Sequence, residues 1–166
     1  KGSAMQRMAL KQDDLLLLIG GSEIVLLDTK YQDYHFFSTY PTGFMVYDVA
    51  NKGASALTMA QKLAALGGDL RGRKVVISIT PAIVTMAPYG EVNPEHYAAN
   101  FSELHALNLV YSSILSMETK QLAAKRMLAF PDTLKDKPFL KFMLENLAGN
   151  SVINRISYFL SWPLGK

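Results

Sequence analysis

Short apolar runs separated by turn residues dominate the first half of the chain. Leu15–Ile19 is one such run, bounded by Asp13-Asp14 on one side and by Gly20-Gly21 on the other. A continuous apolar run between charge and glycine is typical of a strand that is buried on both faces. Similar runs predict strands over residues 44–49 and 75–80, and a proline ends the second of these.

A helix is predicted between the second and third strands. Apolar residues there recur at helical spacing, namely Leu57, Ala60, Leu63 and Ala64. The helix begins at Ser55 or Ala56 and ends at Gly67-Gly68. A strand, a helix and a strand in this order form a βαβ unit, which implies a parallel sheet and therefore an α/β fold class.

The second half of the chain is predicted to be helical. Apolar stripes predict helices over residues 94–117, 118–130, 139–147 and 151–160. The chain is thus interpreted as a single domain over residues 1–166, with an α/β core in 1–90 and a mainly helical segment in 91–166. Because three strands are few for a parallel sheet, and because the first residue is lysine, we expect it to be the N-terminal part of a larger domain.

Composition and charge remove several classes of function. The chain is 49% hydrophobic and 19% charged, which is typical of a folded globular protein. Its net charge is +3 without a run of like charges, so no nucleic-acid partner is expected. It has no cysteine, which excludes disulfides, cysteine zinc sites and a cysteine nucleophile. No metal-ligand spacing or phosphate-binding glycine motif is present, so neither a metal nor a cofactor is expected.

A candidate nucleophile follows directly on the first predicted strand, in Gly20-Gly21-Ser22-Glu23. In an open parallel sheet, ligands bind in the crevice beyond the carboxyl ends of the strands. Ser22 at this turn has the exposure and the nearby backbone N–H groups that acyl transfer requires. The pattern also fits a helix N-cap serine. Gly53, after the second strand, can supply a backbone N–H to the same crevice, although an ordinary turn is the alternative.

A general base for Ser22 is not evident among the histidines His35, His96 and His105. An activated serine needs a base within hydrogen-bond reach, and a carboxylate usually orients that base. None of the three histidines follows an aspartate in a short loop at a strand end. Each is interpreted as a surface or core histidine, and the base is expected outside these residues.

Several blocks of the chain resemble the DltD family of D-alanine transfer proteins, which act in teichoic acid D-alanylation. The similar blocks, in the family's order, are Lys1-Gly2 with Gln6 and Ala9-Leu10, the strand before Ser22-Glu23, Asn51-Lys52-Gly53-Ala54-Ser55, Lys74–Pro81, and Asn100-Phe101-Ser102. They span most of residues 1–110. One departure is that the family's usual Gly-Ser-Ser-Glu is Gly20-Gly21-Ser22-Glu23 here, so the second serine position is kept.

The resemblance implies an SGNH-hydrolase-like (flavodoxin-like) α/β fold whose parallel sheet is incomplete in this chain and is followed by a helical segment. It implies a location on the extracytoplasmic face of the cell membrane, with anchoring by an N-terminal helix outside this chain. The implied partners are a D-alanyl donor, either a carrier protein or a membrane acyl intermediate, and a teichoic acid acceptor.

The resemblance also implies roles for particular residues. Carried over by position, Ser22 becomes the catalytic nucleophile and Gly53 an oxyanion or substrate-binding residue. The C-terminal Asp and His that complete the family's triad are absent from these residues. The full-length protein is therefore expected to be a serine acyltransferase or thioesterase, whereas this chain alone is expected to be inactive. The alternatives are an SGNH-like esterase or acetyltransferase on another envelope polysaccharide, and a non-catalytic scaffold that binds a carrier protein or a membrane partner.

Overall fold

The computed structural model describes residues 2–25, 28–79 and 92–162. The chain divides into two compact units, one formed by Lys1–Met59 with Leu66–Asn100 and the other by Ala60–Ala65 with Phe101–Lys166. The first unit contains a parallel sheet with helices, and the second is helical. The predicted α/β fold class is confirmed.

The described elements up to residue 100 are three strands with helices between and around them. They are α1 (Ser3–Ala9), β1 (Leu15–Gly20), α2 (Ser22–Val25), α3 (Asp33–Thr39), β2 (Met45–Ala50), α4 (Ala56–Leu66), β3 (Lys74–Ile77) and α5 (Pro94–Asn100). Short 3₁₀ turns lie at Thr29–Tyr31 and Gly67–Leu70.

The three described strands are parallel and lie in the order β2-β1-β3. At the carboxyl edge, Gly20 pairs with Ala50 on one side and Ile19 pairs with Ile77 on the other. The chain passes from β1 to β2 on one side and then to β3 on the opposite side. This reversal is the topological switch point of a flavodoxin-like sheet, and it lies between β1 and β3.

Burial along β1 alternates. Leu15, Leu17 and Ile19 are at most 4% exposed, whereas Leu16 and Leu18 are only partly buried. Neighbouring side chains of a strand point to opposite faces, so the described residues cover one face of β1 more completely than the other. The expectation that both faces of this strand are fully buried was therefore wrong for the described residues.

Several observed helices and strands differ from the predicted ones. The segment around His35, for which no helix was predicted, forms helix α3. Strand β3 ends at Ile77, and the part of its prediction that falls on Thr80 lies outside the described residues. The helix predicted over 94–117 is broken, because the hydroxyl of Ser102 accepts the N–H of His105 and starts a new helix there.

The second unit contains α6 (Glu103–Val110), α7 (Met117–Leu128), α8 (Pro138–Ala148) and α9 (Val152–Ser161). Helix α8 contacts the other three. It buries one stripe of side chains at helical spacing, namely Leu140, Met143, Leu144 and Leu147. This stripe is the centre of the unit's core.

None of the helices within the described ranges is both long enough and apolar enough to cross a membrane.

Candidate functional site

The segments that follow the strands, residues 21–22, 51–55 and 78–79, leave the sheet at its carboxyl edge. The first two of these segments are close together. A methyl group built on Gly21 would lie 3.7 Å from the carbonyl oxygen of Ala54, which is ordinary van der Waals contact. The turn after β1 and the segment after β2 therefore form one continuous surface.

Ser22 is the first residue of helix α2, and its side chain is partly buried. The N-cap position is occupied by Gly21, whose carbonyl accepts the N–H of Ile24 at 3.3 Å. The helix thus starts at the serine rather than after it. Ser22 lies two residues beyond the end of the central strand, beside the switch point of the sheet.

The neighbouring Glu23 folds its carboxylate back over this turn. Its Oε1 accepts the N–H of Gly21 at 2.8 Å. Burial alone would raise the pKa of Glu23, but hydrogen bonds from the Gly21 N–H, its own N–H and the Ser78 hydroxyl outweigh burial, and the pKa is lowered. Glu23 is therefore ionised at neutral pH.

The two glycines before Ser22 make room for that carboxylate. A Cβ on Gly20 would lie 2.8 Å from Glu23 Oε1 and would overlap the side chain of Ile24. A Cβ on Gly21 would lie 2.8 Å from Glu23 Oε2. Because real Cβ atoms do not approach this closely, a larger residue at either position displaces the glutamate.

Ser78 brings the end of β3 to the same carboxylate. Its N–H donates to the carbonyl of Ile19 at 2.8 Å, which extends the β1–β3 pairing past the assigned strand. Its hydroxyl hydrogen-bonds to Glu23. The carboxylate therefore connects the end of β1 with the end of β3, across the switch point.

Gly53 lies after β2 with a φ of +71°, in the left-handed region that favours glycine. A Cβ at this position would also lie 2.8 Å from Cγ of His96, because the imidazole packs against the glycine. Both the backbone conformation and the close contact therefore require glycine here.

Helix α5 is fastened to the segment that carries Gly53. The side-chain amide of Asn100 donates to the carbonyl of Lys52 at 2.9 Å and to the carbonyl of His96 at 3.0 Å. At the other end of the helix, the Asn93 side chain accepts the N–H of His96 at 3.0 Å. These bonds hold His96 at the carboxyl edge of the sheet.

The three histidines lie on three different helices. His96 contacts Gly53 at the carboxyl edge of the sheet, His35 is exposed on α3, and His105 lies on α6 in the helical unit. Burial lowers the pKa of His105, and the positive charge of Lys62 lowers it further. Sequence reasoning interpreted all three as surface or core residues, and it missed that His96 adjoins a candidate site residue.

The roles of Glu23 and Ser78 were also missed. Glu23 stood in the quoted Gly-Gly-Ser-Glu block, and its spacing from Gly21 was the available signal, since a carboxylate in the first helical turn often accepts an N–H at the helix start. Ser78 carried no such signal, because only the strand order brings it beside β1.

No group of three or more His, Asp or Glu side chains within residues 2–25, 28–79 and 92–162 is arranged to hold a metal ion.

Comparisons with known proteins agree over nearly the whole chain. A family model described as "DltD protein" matches residues 1–162. The chain is also similar to the protein named Protein DltD of Bacillus subtilis (strain 168), with 29% identity over 136 residues. That alignment covers 82% of this chain and 34% of the relative, so the chain spans about a third of the relative's length.

Proposed function

Because the chain belongs to the DltD family, we propose that it forms the nucleophile-bearing part of an extracytoplasmic serine acyltransferase, which handles D-alanyl groups for teichoic acid D-alanylation. The observation that carries the proposal is the position of Ser22, two residues beyond the end of the central strand and beside the switch point of a parallel sheet. Ligand sites in open α/β sheets lie at such points.

The proposed first step is attack by the Ser22 hydroxyl oxygen on the carbonyl carbon of a D-alanyl ester or thioester. The Ser22 Oγ–carbon bond forms, the hydroxyl proton passes to a general base, and the bond to the leaving oxygen or sulfur breaks. The base then protonates the leaving group. We assign this base, with the carboxylate that orients it, to the part of the longer family proteins that this chain does not span.

The proposed second step returns the serine to its starting state. A hydroxyl of the teichoic acid acceptor attacks the D-alanyl–serine ester, and its proton passes to the same base. The new ester bond forms, the bond to Ser22 Oγ breaks, and the serine oxygen takes the proton back from the base. No oxidant, reductant or metal enters either step.

The negative charge that develops on the carbonyl oxygen needs hydrogen-bond donors in place before the reaction. We assign this role to the backbone N–H groups of Ser22 and Gly53. The Glu23 carboxylate accepts the N–H groups on either side of Ser22, at Gly21 and at Glu23 itself, and the Ser22 N–H is not among its donors. The left-handed backbone at Gly53 supports the second assignment, because it turns the chain at the edge of the sheet.

The family relationship also supports the cellular setting. We propose that the protein acts at the extracytoplasmic face of the cell membrane, held there by an N-terminal helix outside these residues. Its proposed partners are a D-alanyl donor, either a carrier protein or a membrane acyl intermediate, and a teichoic acid acceptor.

Covalent labelling by a fluorophosphonate probe, with peptide mass spectrometry, tests the nucleophile. The probe is applied to this chain, to the full natural protein that contains it, and to the Ser22→Ala variant of each. Ser55→Ala is the matched control, because Ser55 lies at the same edge but accepts the N–H of Thr58 at 3.3 Å at the start of α4. We expect labelling of Ser22 in the longer protein, its loss in Ser22→Ala and its retention in Ser55→Ala. A folded longer protein that is not labelled at Ser22 contradicts the proposal and favours a scaffold.

A further inference from the structure

A negative charge lies beside the candidate nucleophile. Glu23 is the residue after Ser22, and its Oε1 is 2.8 Å from the backbone nitrogen of Gly21, the residue before it. The hydrogen bonds described above lower the pKa of this carboxylate below its ordinary value, so it is ionised at neutral pH. The serine turn therefore holds a fixed anion.

Such an anion destabilises the transition state of the attack unless a positive charge lies beside it. Attack by Ser22 creates a second negative charge on the carbonyl oxygen, and like charges at close range destabilise each other. A neutral acyl donor leaves the carboxylate without a counter-charge at that moment. A donor that carries its own cation near the carbonyl removes the repulsion.

A D-alanyl group carries such a cation. Its α-ammonium group is two bonds from the carbonyl carbon, and that carbon lies about 3 Å from the attacking oxygen at the point of reaction. The ammonium group is therefore delivered to the residues that line the serine turn. We propose that the Glu23 carboxylate binds the α-ammonium group of the acyl donor, so that the site selects aminoacyl groups over plain acyl groups. This inference rests on the proposed function.

The carboxylate has capacity for this additional donor. An ionised carboxylate accepts about four hydrogen bonds. The bonds already made come from the N–H groups of Gly21 and Glu23 and from the hydroxyl of Ser78. The position of the carboxylate, between the ends of β1 and β3, is also the crevice in which a ligand of this sheet type binds.

A second acceptor lies near the carboxylate. A Cβ built on Gly21 is 2.8 Å from Glu23 Oε2 and 3.7 Å from the carbonyl oxygen of Ala54, so both oxygens border this glycine. An ammonium group has three N–H donors and can bond to a carboxylate and to a carbonyl oxygen, whereas a methyl group can bond to neither.

The test compares a D-alanyl thioester of pantetheine with the isobutyryl thioester, in which a methyl group replaces the ammonium group. The rate of acyl-enzyme formation at Ser22 is measured by intact-protein mass spectrometry on the full natural protein that contains this sequence. The variants are Glu23→Gln, which keeps an acceptor for the Gly21 N–H but removes the charge, and Glu118→Gln, a matched control at an exposed position on α7. Thermal unfolding checks that each variant is folded.

We expect the unmodified protein to be acylated by the D-alanyl thioester about tenfold to a hundredfold faster than by the isobutyryl thioester, the range for a charge-assisted hydrogen bond. Glu23→Gln is expected to remove most of this preference, because the D-alanyl rate falls with the loss of the ammonium partner and the isobutyryl rate rises with the loss of the opposing charge. Glu118→Gln is expected to keep the preference.

Other outcomes overturn the inference in distinguishable ways. If Glu23→Gln lowers the acylation rate equally for both thioesters, Glu23 only positions the turn. Equal rates for both thioesters in the unmodified protein mean that the site does not recognise the ammonium group, and a preference that Glu23→Gln retains means that another group recognises it; in both cases the proposed serine chemistry stands. If neither thioester acylates a protein that the fluorophosphonate does label, the D-alanyl acyltransferase function fails and the inference fails with it.

Discussion

The residues before and after Ser22 are interdependent. Gly20 and Gly21 are small because the Glu23 carboxylate occupies the space where their side chains would be. Glu23 in turn accepts hydrogen bonds from the Gly21 N–H and the Ser78 hydroxyl, which lower its pKa despite its partial burial. The Gly-Gly-Ser-Glu block is therefore one structural unit, in which the glutamate fixes the turn that carries the serine.

The contact between Gly53 and His96 is expected to make Gly53→Ala more damaging than its backbone conformation alone predicts. Gly72 is the matched control, because its φ of +75° is similar and nothing lies within 4 Å of a Cβ built there. Gly72→Ala is expected to cost about 1 kcal/mol for the left-handed backbone, and Gly53→Ala about 1–3 kcal/mol more for overpacking. Urea unfolding measures both, and equal costs contradict the contact with His96.

The charge of Glu23 is expected to stabilise the protein in a pH-dependent way. Its folded-state pKa lies below the ordinary value of 4.5, so its contribution is fully present above that value and is lost as the pH falls through the folded-state pKa. Glu23→Gln is expected to be less stable than the unmodified chain by about 1 kcal/mol at pH 7, because the carboxylate is only partly buried. The difference should vanish at low pH.

Urea unfolding at a series of pH values measures this difference, and carbon-detected titration of the Glu23 carboxyl group gives the pKa directly. Ser78→Ala is expected to raise that pKa, since it removes one donor. A stability difference that persists unchanged below the folded-state pKa rules out the charge as its cause.

Individual elements of the helical unit are held by buried polar groups as well as by apolar contacts. In α9, the hydroxyl of Tyr158 donates to the carbonyl of Val110 at 2.6 Å, and the Lys120 ammonium lies 3.4 Å from the same hydroxyl. Burial, together with the nearby Tyr111, raises the pKa of Tyr158 to about 12, so the hydroxyl remains a donor at neutral pH. This tyrosine joins α9 to the end of α6.

Tyr158→Phe is expected to lower the free energy of unfolding by about 1–3 kcal/mol, because it leaves a buried carbonyl and a buried ammonium group without their partner. Tyr40→Phe makes the same chemical change at a side chain that is 61% exposed, and it is expected to change stability by less than about 0.5 kcal/mol. Chemical denaturation of both variants checks this. A cost for Tyr158→Phe no larger than that for Tyr40→Phe contradicts the structural role of the hydroxyl.

At the scale of the whole molecule, residues 1–166 are predicted to behave as a single domain, although their contacts form two compact units. A single domain unfolds in one transition that all probes follow. The chain has one tryptophan, Trp162, which belongs to the helical unit. Its fluorescence therefore reports on that unit, while circular dichroism reports on the helices of both.

Thermal unfolding followed by both probes is expected to give the same midpoint. Gly53→Ala, in the sheet-containing unit, is expected to lower the midpoint of the Trp162 signal as much as that of the circular dichroism signal. If Gly53→Ala leaves the Trp162 transition unchanged, the two units unfold independently and the prediction of one domain is wrong.

The sequence by itself determined the three strands and the family. Apolar runs predicted the three strands within a few residues of their observed ends, because local hydrophobic pattern and turn residues set strand length. The βαβ order predicted a parallel sheet, which is confirmed. The ordered blocks around Ser22 and Gly53 predicted the DltD family, and the family model that matches residues 1–162 confirms it.

Only the tertiary structure decided which residues meet. Strand order brings Ser78 beside Glu23, and the packing of α5 brings His96 onto Gly53. In both pairs the partners are more than 40 residues apart, and local periodicity carries no information about contacts over such distances. The roles of Ser22 and Gly53 remain predictions from the sequence, whereas the carboxylate that adjoins Ser22 and the imidazole that adjoins Gly53 became visible only once the chain was folded.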